Sequence, residues 1–291
     1  LLFGMMFGDL GQGIVISLIG LFMVHKMKMP FGQILTRIGV SSAVFGCVYG
    51  SVFGYEDALN PVYKALFGLE HKPIDVFEQS STLLIIAVAI GAVLITISII
   101  ISMVLSFRRK DYEHSLFSQD GLAGLVFYGS IIGAVVLKFI FDINVINAVF
   151  ITVFIAIPIL LMFLREPLGK LIKYHKLSKP SGGIGNFIIE SFVEMFEVML
   201  SYITNTMSFL RVGGFVLSHA GMMLVVMVLS EKASGIANPI VVILGNIFVM
   251  GLEGLIVGIQ VLRLEFYEIF SRFFKGSGKQ FKPVGVSYDK E

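Results

Sequence analysis

The chain has 291 residues, of which 56% are hydrophobic and only 14% are charged, whereas a soluble domain usually carries about a quarter of charged residues. A soluble protein of this size could not hide so much apolar surface, so the composition indicates an integral membrane protein. The 22 basic and 20 acidic residues nearly balance, which leaves no cationic excess for a phosphate backbone and excludes a nucleic-acid-binding protein. The single cysteine excludes an intramolecular disulfide and a cysteine metal cluster.

Apolar runs follow one another along the chain, and a helical span needs about 20 mostly apolar residues. The runs lie near 1–24, 33–54, 81–106, 120–141, 143–164, 187–230 and 239–270. The first run is interrupted by polar and small residues from Asp9 to Gly13, and we interpret it as two spans joined by a tight turn in which Asp9 caps the backbone. We therefore predict an all-α polytopic membrane protein with about eight transmembrane helices.

The last two runs are too long for one perpendicular crossing, so these helices are expected to be strongly tilted or to project from the bilayer. Residues 177–186 read LSKPSGGIGN and form the clearest linker. We predict a front domain of transmembrane hairpins at 1–180, which forms a scaffold with a truncated first span, and a back domain at 181–291 with the two long helices and a C-terminal tail. The chain also opens inside an apolar run without an initiator Met, which predicts a fragment of a longer protein.

The distribution of Lys and Arg predicts the orientation in the membrane. If the loop at 25–32 is cytoplasmic, 16 of the 22 basic residues fall on the cytoplasmic side and 4 on the opposite side, while Arg211 and Arg263 fall inside spans. This asymmetry alternates loop by loop and agrees with the positive-inside rule. It places the C-terminus in the cytoplasm.

Two arginines lie deep inside the last two runs. Arg211 is 20 residues before Glu231, and Arg263 is 24 residues after Pro239. An arginine at the bilayer centre costs about 2.5–3.5 kcal/mol on insertion scales, and such residues usually mark a pathway or a partner.

Further polar residues share the helix faces of these arginines, at about 100° per residue. On the first long helix, this face or its border carries Glu190, Glu194, Glu197, Ser201, Thr204, Ser208 and His219. On the last helix, Asn246, Glu253 and Gln260 repeat every seven residues and form one stripe, with Arg263 one turn beyond. These groups could pair only to hold a bundle together, but two facing polar stripes interrupted by fixed positive charge are more typical of ion translocation.

Three segments carry a resemblance to a known family. Residues 197–219 read EVMLSYITNTMSFLRVGGFVLSH, residues 250–267 read MGLEGLIVGIQVLRLEFY and are followed at 273–283 by FFKGSGKQFKP, and residues 3–13 read FGMMFGDLGQG. Together, these segments resemble the membrane domain of subunit a, also called subunit I, of the rotary V/A-type ATPases.

The resemblance implies a stator subunit with two offset half-channels, which pass H⁺ or Na⁺ to and from carboxylates on a rotating ring. Arg211 matches the family's essential channel arginine, which separates the half-channels, and Arg263 matches its second arginine. The cytoplasmic half-channel would be lined by Glu190, Glu194, Glu197, Ser201, Thr204 and Ser208. The external half-channel would be lined by His219, Glu253 and Gln260.

The implied partners are the rotor ring, the lipid bilayer and, through an N-terminal cytoplasmic domain that this chain lacks, a peripheral stalk and a catalytic ATPase sector. No catalytic site, metal or cofactor is implied in this chain. The segment after Arg211 suggests a prokaryotic cell membrane, because Val212 and the two following glycines replace the bulkier residues of eukaryotic relatives. The alternative is an ion-coupled secondary transporter with its own substrate site, which would be expected to show inverted repeats and matching broken helices.

Overall fold

The apolar runs form helices in the computed structural model, which describes residues 1–55, 58–67, 75–143, 145–165, 167–169, 184–233, 235–274, 276 and 278. In chain order the helices are α1 Leu2–Met6, α2 Leu10–His25, α3 Phe31–Tyr49, α4 Asn60–Phe67, α5 Ser80–Arg108, α6 Tyr112–Phe117, α7 Leu122–Phe141, α8 Ala148–Phe163, α9 Ile184–Ser208, α10 Leu210–Lys232 and α11 Ala237–Phe273. The last helix contains a wide π-helical turn over Glu265–Phe270.

Within the described ranges, five stretches of helix are long and apolar enough to cross a membrane: Phe31–Tyr49, Ser80–Arg108, Tyr112–Phe139, Gly185–Lys232 and Ala237–Phe273. Two shorter apolar helices, α2 and α8, accompany them. Large apolar side chains are exposed along the outer faces of these helices, such as Phe139 at 81% and Leu255 at 65% exposure. The predicted all-α membrane protein is confirmed at this level, while the number of spans and their tilt stay predictions.

The interruption in the first run is a turn built around Asp9. Its buried carboxylate caps α2 by accepting a hydrogen bond from the Gln12 amide at 2.8 Å. It also accepts from the Ser51 hydroxyl at 2.6 Å and from the amides of Phe53 and Gly54 at 3.0 and 3.1 Å. The expectation that Asp9 caps backbone is confirmed, because these four donors satisfy both carboxylate oxygens.

Glycines let α2 and α3 pack closely as a hairpin. They recur every seven residues on each helix, Gly13 and Gly20 on α2 and Gly32, Gly39 and Gly46 on α3. A Cβ added at Gly39 would lie 2.5 Å from the backbone nitrogen of Ser17. Side chains at this interface would force the two backbones apart, so the hairpin depends on the small residues.

The main core lies where α1, α5, α7 and the last three helices meet. Apolar residues from all of these elements are buried in it, among them Met6, Ile95, Phe127, Phe209 and Val257. The short α1 contacts α3, α10 and α11. The front scaffold therefore packs directly against the helices that carry the two arginines.

Two sequence predictions fall largely outside the described residues. The predicted linker at 177–186 is described only from residue 184, where α9 begins. The C-terminal tail lies almost entirely beyond the described part of the chain, which covers it only through Phe274 and at residues 276 and 278. The division into a front and a back domain stays a prediction.

Candidate functional site

The long run at 187–230 forms a nearly continuous helical stretch, in which the single turn residue Phe209 separates α9 from α10 and keeps right-handed helical dihedral angles. The Phe209 side chain is fully buried and fills a notch at Gly91 of α5, where an added Cβ would lie 2.2 Å from the ring. Arg211 follows two residues later, so the packing of Phe209 anchors the start of the helix that carries it. A helical face extrapolated from α9 through Phe209 into α10 therefore gives only approximate angles between residues of the two helices.

The Arg211 side chain is half-buried against the bundle. Its Nη1 atom is buried and has no hydrogen-bond partner among the described residues. A buried guanidinium nitrogen without a partner is costly, so this group is ready to bind an anion or an acceptor.

His219 and Glu253 form a buried pair between α10 and α11. The His219 Nδ1 atom lies 2.6 Å from the Glu253 Oε2 atom, and their side chains are 6% and 2% exposed. The other polar atoms of the pair, His219 Nε2 and Glu253 Oε1, are buried without a partner in the described part of the chain. The Phe7 ring packs on the imidazole with ring centres 4.9 Å apart.

A second buried carboxylate lies nearer the C-terminal end of α11. Glu268 is 5% exposed, and its Oε1 atom accepts a hydrogen bond from the Ser208 hydroxyl at the end of α9. Its Oε2 atom is buried and has no partner among the described residues. The seven-residue repeat does not predict Glu268, because Glu268 comes eight residues after Gln260.

The two carboxylate contacts bracket the arginine region. Along the chain, Ser208 precedes Arg211 by three residues and His219 follows it by eight. On α11, Glu253 and Glu268 lie on either side of Gln260 and Arg263. Because Ser208 contacts Glu268 and His219 contacts Glu253, the arginine region lies between two separate buried carboxylates.

The predicted stripe on α11 is partly internal. Asn246 and Glu253 are buried, and Gln260 is half-buried with its Oε1 atom lacking a partner in the described structure. The Asn246 side chain accepts a hydrogen bond from Gln12 of α2 at 2.8 Å.

Arg263, by contrast, is exposed on the outside of the bundle, and no described residue pairs with it. The two arginines therefore do not occupy equivalent environments within the chain.

Most predicted residues of the cytoplasmic path line the outer surface of α9. Glu190, Glu194, Glu197 and Thr204 are exposed, whereas Ser201 and Ser208 are half-buried. Glu194 pairs with Arg165 at 3.1 Å, and the Thr204 hydroxyl donates to its own helix at the Leu200 carbonyl. Of the hydroxyl residues, Ser208 is the one with a described contact to α11.

A buried ion pair anchors the end of α11. The Arg272 Nη1 atom lies 2.8 Å from Asp120 Oδ1, and the guanidinium lies over the Tyr202 ring, 5.5 Å from its centre. From α5, Ser98 and Ser102 donate hydrogen bonds to the carbonyls of Ile269 and Arg272 at 2.7 and 3.1 Å. From the sequence, Arg272 is predicted only to be one of the basic residues on the cytoplasmic side, and no sequence pattern points to Asp120.

No group of three or more His, Cys, Asp and Glu side chains in the described ranges could hold a metal ion. The arrangement instead consists of single carboxylates, each in contact with a hydroxyl or imidazole group, and of separate amide and guanidinium groups. Carboxylates and imidazoles can take up and release protons, whereas a guanidinium group stays charged and can stabilise an approaching carboxylate.

The chain is similar over nearly its whole length to several proteins named A-type ATP synthase subunit I. It is 28% identical to A-type ATP synthase subunit I of Saccharolobus solfataricus, 25% identical to that of Aeropyrum pernix and 24% identical to that of Methanocaldococcus jannaschii. These alignments cover 97–98% of this chain. The resemblance to subunit a/I of the V/A-type ATPases is confirmed. No family model matches the chain.

The chain spans a little under half of the length of these subunit I relatives, between 43% and 49% of each. The similarity therefore concerns one part of each relative.

Proposed function

We propose that this chain is the membrane stator subunit of a rotary V/A-type ATPase, and that it passes ions to and from the carboxylates of a rotating ring through two half-channels. The observation that carries the proposal is the half-buried Arg211 guanidinium, whose unpartnered nitrogen lies between two buried carboxylate contacts. A pathway from each side would end at its own carboxylate, with the fixed positive charge between them.

The chemistry follows from the cost of charge in lipid. A neutral ring carboxylate, protonated or ion-loaded, can face the bilayer, whereas a bare anion there is costly. Beside Arg211 the anion is stabilised, so each ring site would release its ion on arrival. Arginine suits this position because it stays charged and offers several donors. It would also block direct leakage between the half-channels.

The outer surface near the arginines is suited to a closely packed partner. A Cβ added at Gly214, Gly251, Gly254 or Gly258 would have no atom within 4 Å. Small residues let neighbouring membrane helices approach closely. We propose that the surface with these glycines packs against the rotor ring. The exposed Arg263 lies further along α11 and on a different face from Gly251, Gly254 and Gly258, at about 100° per residue, and we propose that it acts as the second arginine at the edge of the ring contact.

The half-channels are proposed to follow the two carboxylate contacts. His219, Glu253 and Gln260 would line the external half-channel. The cytoplasmic half-channel would be lined by Ser201, Thr204 and Ser208, with Glu190, Glu194 and Glu197 at its entrance. The C-terminus would be cytoplasmic and the membrane prokaryotic. The peripheral stalk and the ATPase sector would attach outside this chain.

The proposal is tested with Arg211→Ala in the assembled complex reconstituted into vesicles. We expect ATP-driven ion uptake to be abolished while the ring still copurifies, because the variant removes the charge but no packing of the core. Arg211→Lys should retain part of the uptake, since it keeps a cation without the guanidinium geometry. The matched control is Arg37→Ala, an exposed arginine on α3. Full uptake by Arg211→Ala, or a purified chain without any ring, would contradict the proposal.

A further inference from the structure

Glu268 is a buried acid for which neither the sequence pattern nor the family resemblance accounts. It lies inside the π-helical turn of α11 and is 5% exposed. A π-turn adds a residue to a helix and is frequently found at functional sites. Here the wide turn changes the helical phase after Arg263, and Glu268 faces inward toward Ser208.

The two oxygens of this carboxylate have different surroundings. Oε1 accepts a hydrogen bond from the Ser208 hydroxyl, while Oε2 is buried and has no hydrogen-bond partner among the described residues. Burying an unpaired anion is costly, whereas a protonated acid needs only an acceptor or a water near its hydroxyl group. Oε2 is therefore the atom on which a proton would reside.

Among the described residues, none forms an ion pair with the Glu268 carboxylate. Arg272, one turn along α11, donates from Nε to the backbone carbonyl of Glu268 at 3.1 Å and pairs through Nη1 with Asp120, while its Nη2 atom is buried without a described partner. Tyr202 of α9 lies under that guanidinium. From α5, Ser98 and Ser102 bond to neighbouring carbonyls rather than to the carboxylate. The described cation nearest Glu268 along α11 is thus paired with Asp120 and not with Glu268.

The position of Glu268 relative to Arg211 mirrors that of Glu253. Glu253 meets His219 after Arg211 in the chain, and Glu268 meets Ser208 before it. In the predicted topology, α9 starts in the cytoplasm, so the contact with Ser208 lies on the cytoplasmic side of Arg211. Ser208 is also the last hydroxyl before Arg211 in the proposed cytoplasmic path.

We propose that Glu268 is the proton-holding group at the inner end of the cytoplasmic half-channel, with Ser208 positioning its carboxylate. This inference rests on the proposed function and adds a residue to it. During pumping, the proton on Oε2 would pass to an ionised ring carboxylate, directly or through water, which leaves Glu268 anionic and the ring site neutral. A proton from the cytoplasm would then restore neutral Glu268. Synthesis would run the same two transfers in reverse.

The test uses the intact complex in vesicles with the ATPase sector facing the bath, so that bath pH is cytoplasmic pH and lumen pH is external pH. We expect Glu268→Gln to lower ATP-driven uptake by at least about 100-fold, the low end for losing a proton-transfer group. The remaining uptake should lose its response to bath pH and keep its response to lumen pH. Glu253→Gln should show the opposite pattern. If Glu268 had only a structural role, its loss would not change the response to bath pH differently from the response to lumen pH.

Glu265→Gln is the matched control, because Glu265 begins the same π-turn, is only half-buried and lies three residues away. All variants share one ATPase sector, so its own pH dependence cancels when their rates are divided by the Glu265→Gln rate. If Glu268→Gln fails to assemble, Ser208→Ala keeps the acid but removes its donor, and we expect a smaller loss with a shifted bath-pH profile.

The inference would be overturned if assembled Glu268→Gln took up ions at the wild-type rate. It would also be overturned if that variant kept an unchanged bath-pH profile. Where Glu268→Gln fails to assemble, an unchanged bath-pH profile in Ser208→Ala would overturn it. The Arg211→Ala measurement separates this failure from failure of the proposed function. If Arg211→Ala abolishes uptake while Glu268→Gln retains it with a normal profile, only the role of Glu268 is refuted.

Discussion

His219 and Glu253 contact each other at 2.6 Å across α10 and α11, and neither side chain is more than 6% exposed. The two residues are 34 positions apart in the chain. Each leaves one polar atom buried without a described partner, His219 Nε2 and Glu253 Oε1. The pair therefore joins the two helices and still has one donor or acceptor on each residue for water or an ion.

The first prediction concerns this pair. Glu253→Gln should slow ion transport without abolishing it, because the amide keeps a hydrogen bond to His219 but cannot bind a proton. His219→Ala should also slow transport. If the two residues act as a unit, the double variant will lose less than the product of the two single effects. The measurement is the initial rate of ATP-driven uptake by reconstituted complexes, and an unchanged rate for Glu253→Gln would show that Glu253 is only structural.

The second prediction concerns the buried pair of Arg272 and Asp120. Removing one partner leaves the other charge buried alone, which typically costs about 3–5 kcal/mol. Asp120→Asn and Arg272→Met should therefore each lower the free energy of unfolding by an amount of this order. The double variant Asp120→Leu with Arg272→Met should be less destabilised than the sum of these losses, because it leaves no unpaired charge.

Thermal unfolding of the purified protein in detergent measures this effect. Arg165→Gln is the control, because Arg165 pairs with Glu194 at the surface, where their side chains are 33% and 55% exposed. An exposed pair contributes about 0–1 kcal/mol, so this variant should unfold near the wild-type temperature. Equal shifts for Arg165→Gln and Arg272→Met would refute the distinction between the two pairs.

The third prediction concerns close packing between α2 and α3. Gly39→Ala would place a methyl group 2.5 Å from the Ser17 nitrogen and 2.7 Å from the Gly13 oxygen. These are backbone atoms that cannot rotate away, so we expect a destabilisation of about 1–3 kcal/mol from overpacking. The readout is the midpoint of thermal unfolding in detergent.

Gly129→Ala on α7 is the matched control, because an added Cβ there meets no atom within 4 Å. Alanine also has the higher helix propensity, by about 1 kcal/mol, so this variant should be neutral or slightly stabilised. A Gly39→Ala protein that is as stable as the Gly129→Ala protein would show that the helices can separate without cost.

Local sequence patterns were sufficient to predict much of this structure. Apolar runs identify the helices because lipid exposure requires long stretches of apolar side chains. Asp9 identifies the first turn because a carboxylate followed by glycines caps a helix start. The seven-residue repeat identifies Asn246 and Glu253 as one inward stripe, and both are buried. Each of these inferences depends on residues close together in the chain.

The remaining features depend on which distant segments meet. Nothing near Arg272 predicts its pairing with Asp120, which is 152 positions away. The Phe209 ring packs against Gly91 of another helix, and Glu268 lies in a π-turn whose Ile269 carbonyl accepts a hydrogen bond from Ser98 of α5. Helix periodicity determines which residues share a face, but only the packing of helices decides which face is buried. The sequence by itself thus determined a membrane protein with two arginines inside its last apolar runs, and the tertiary structure decided that buried carboxylates meet these helices before and after Arg211.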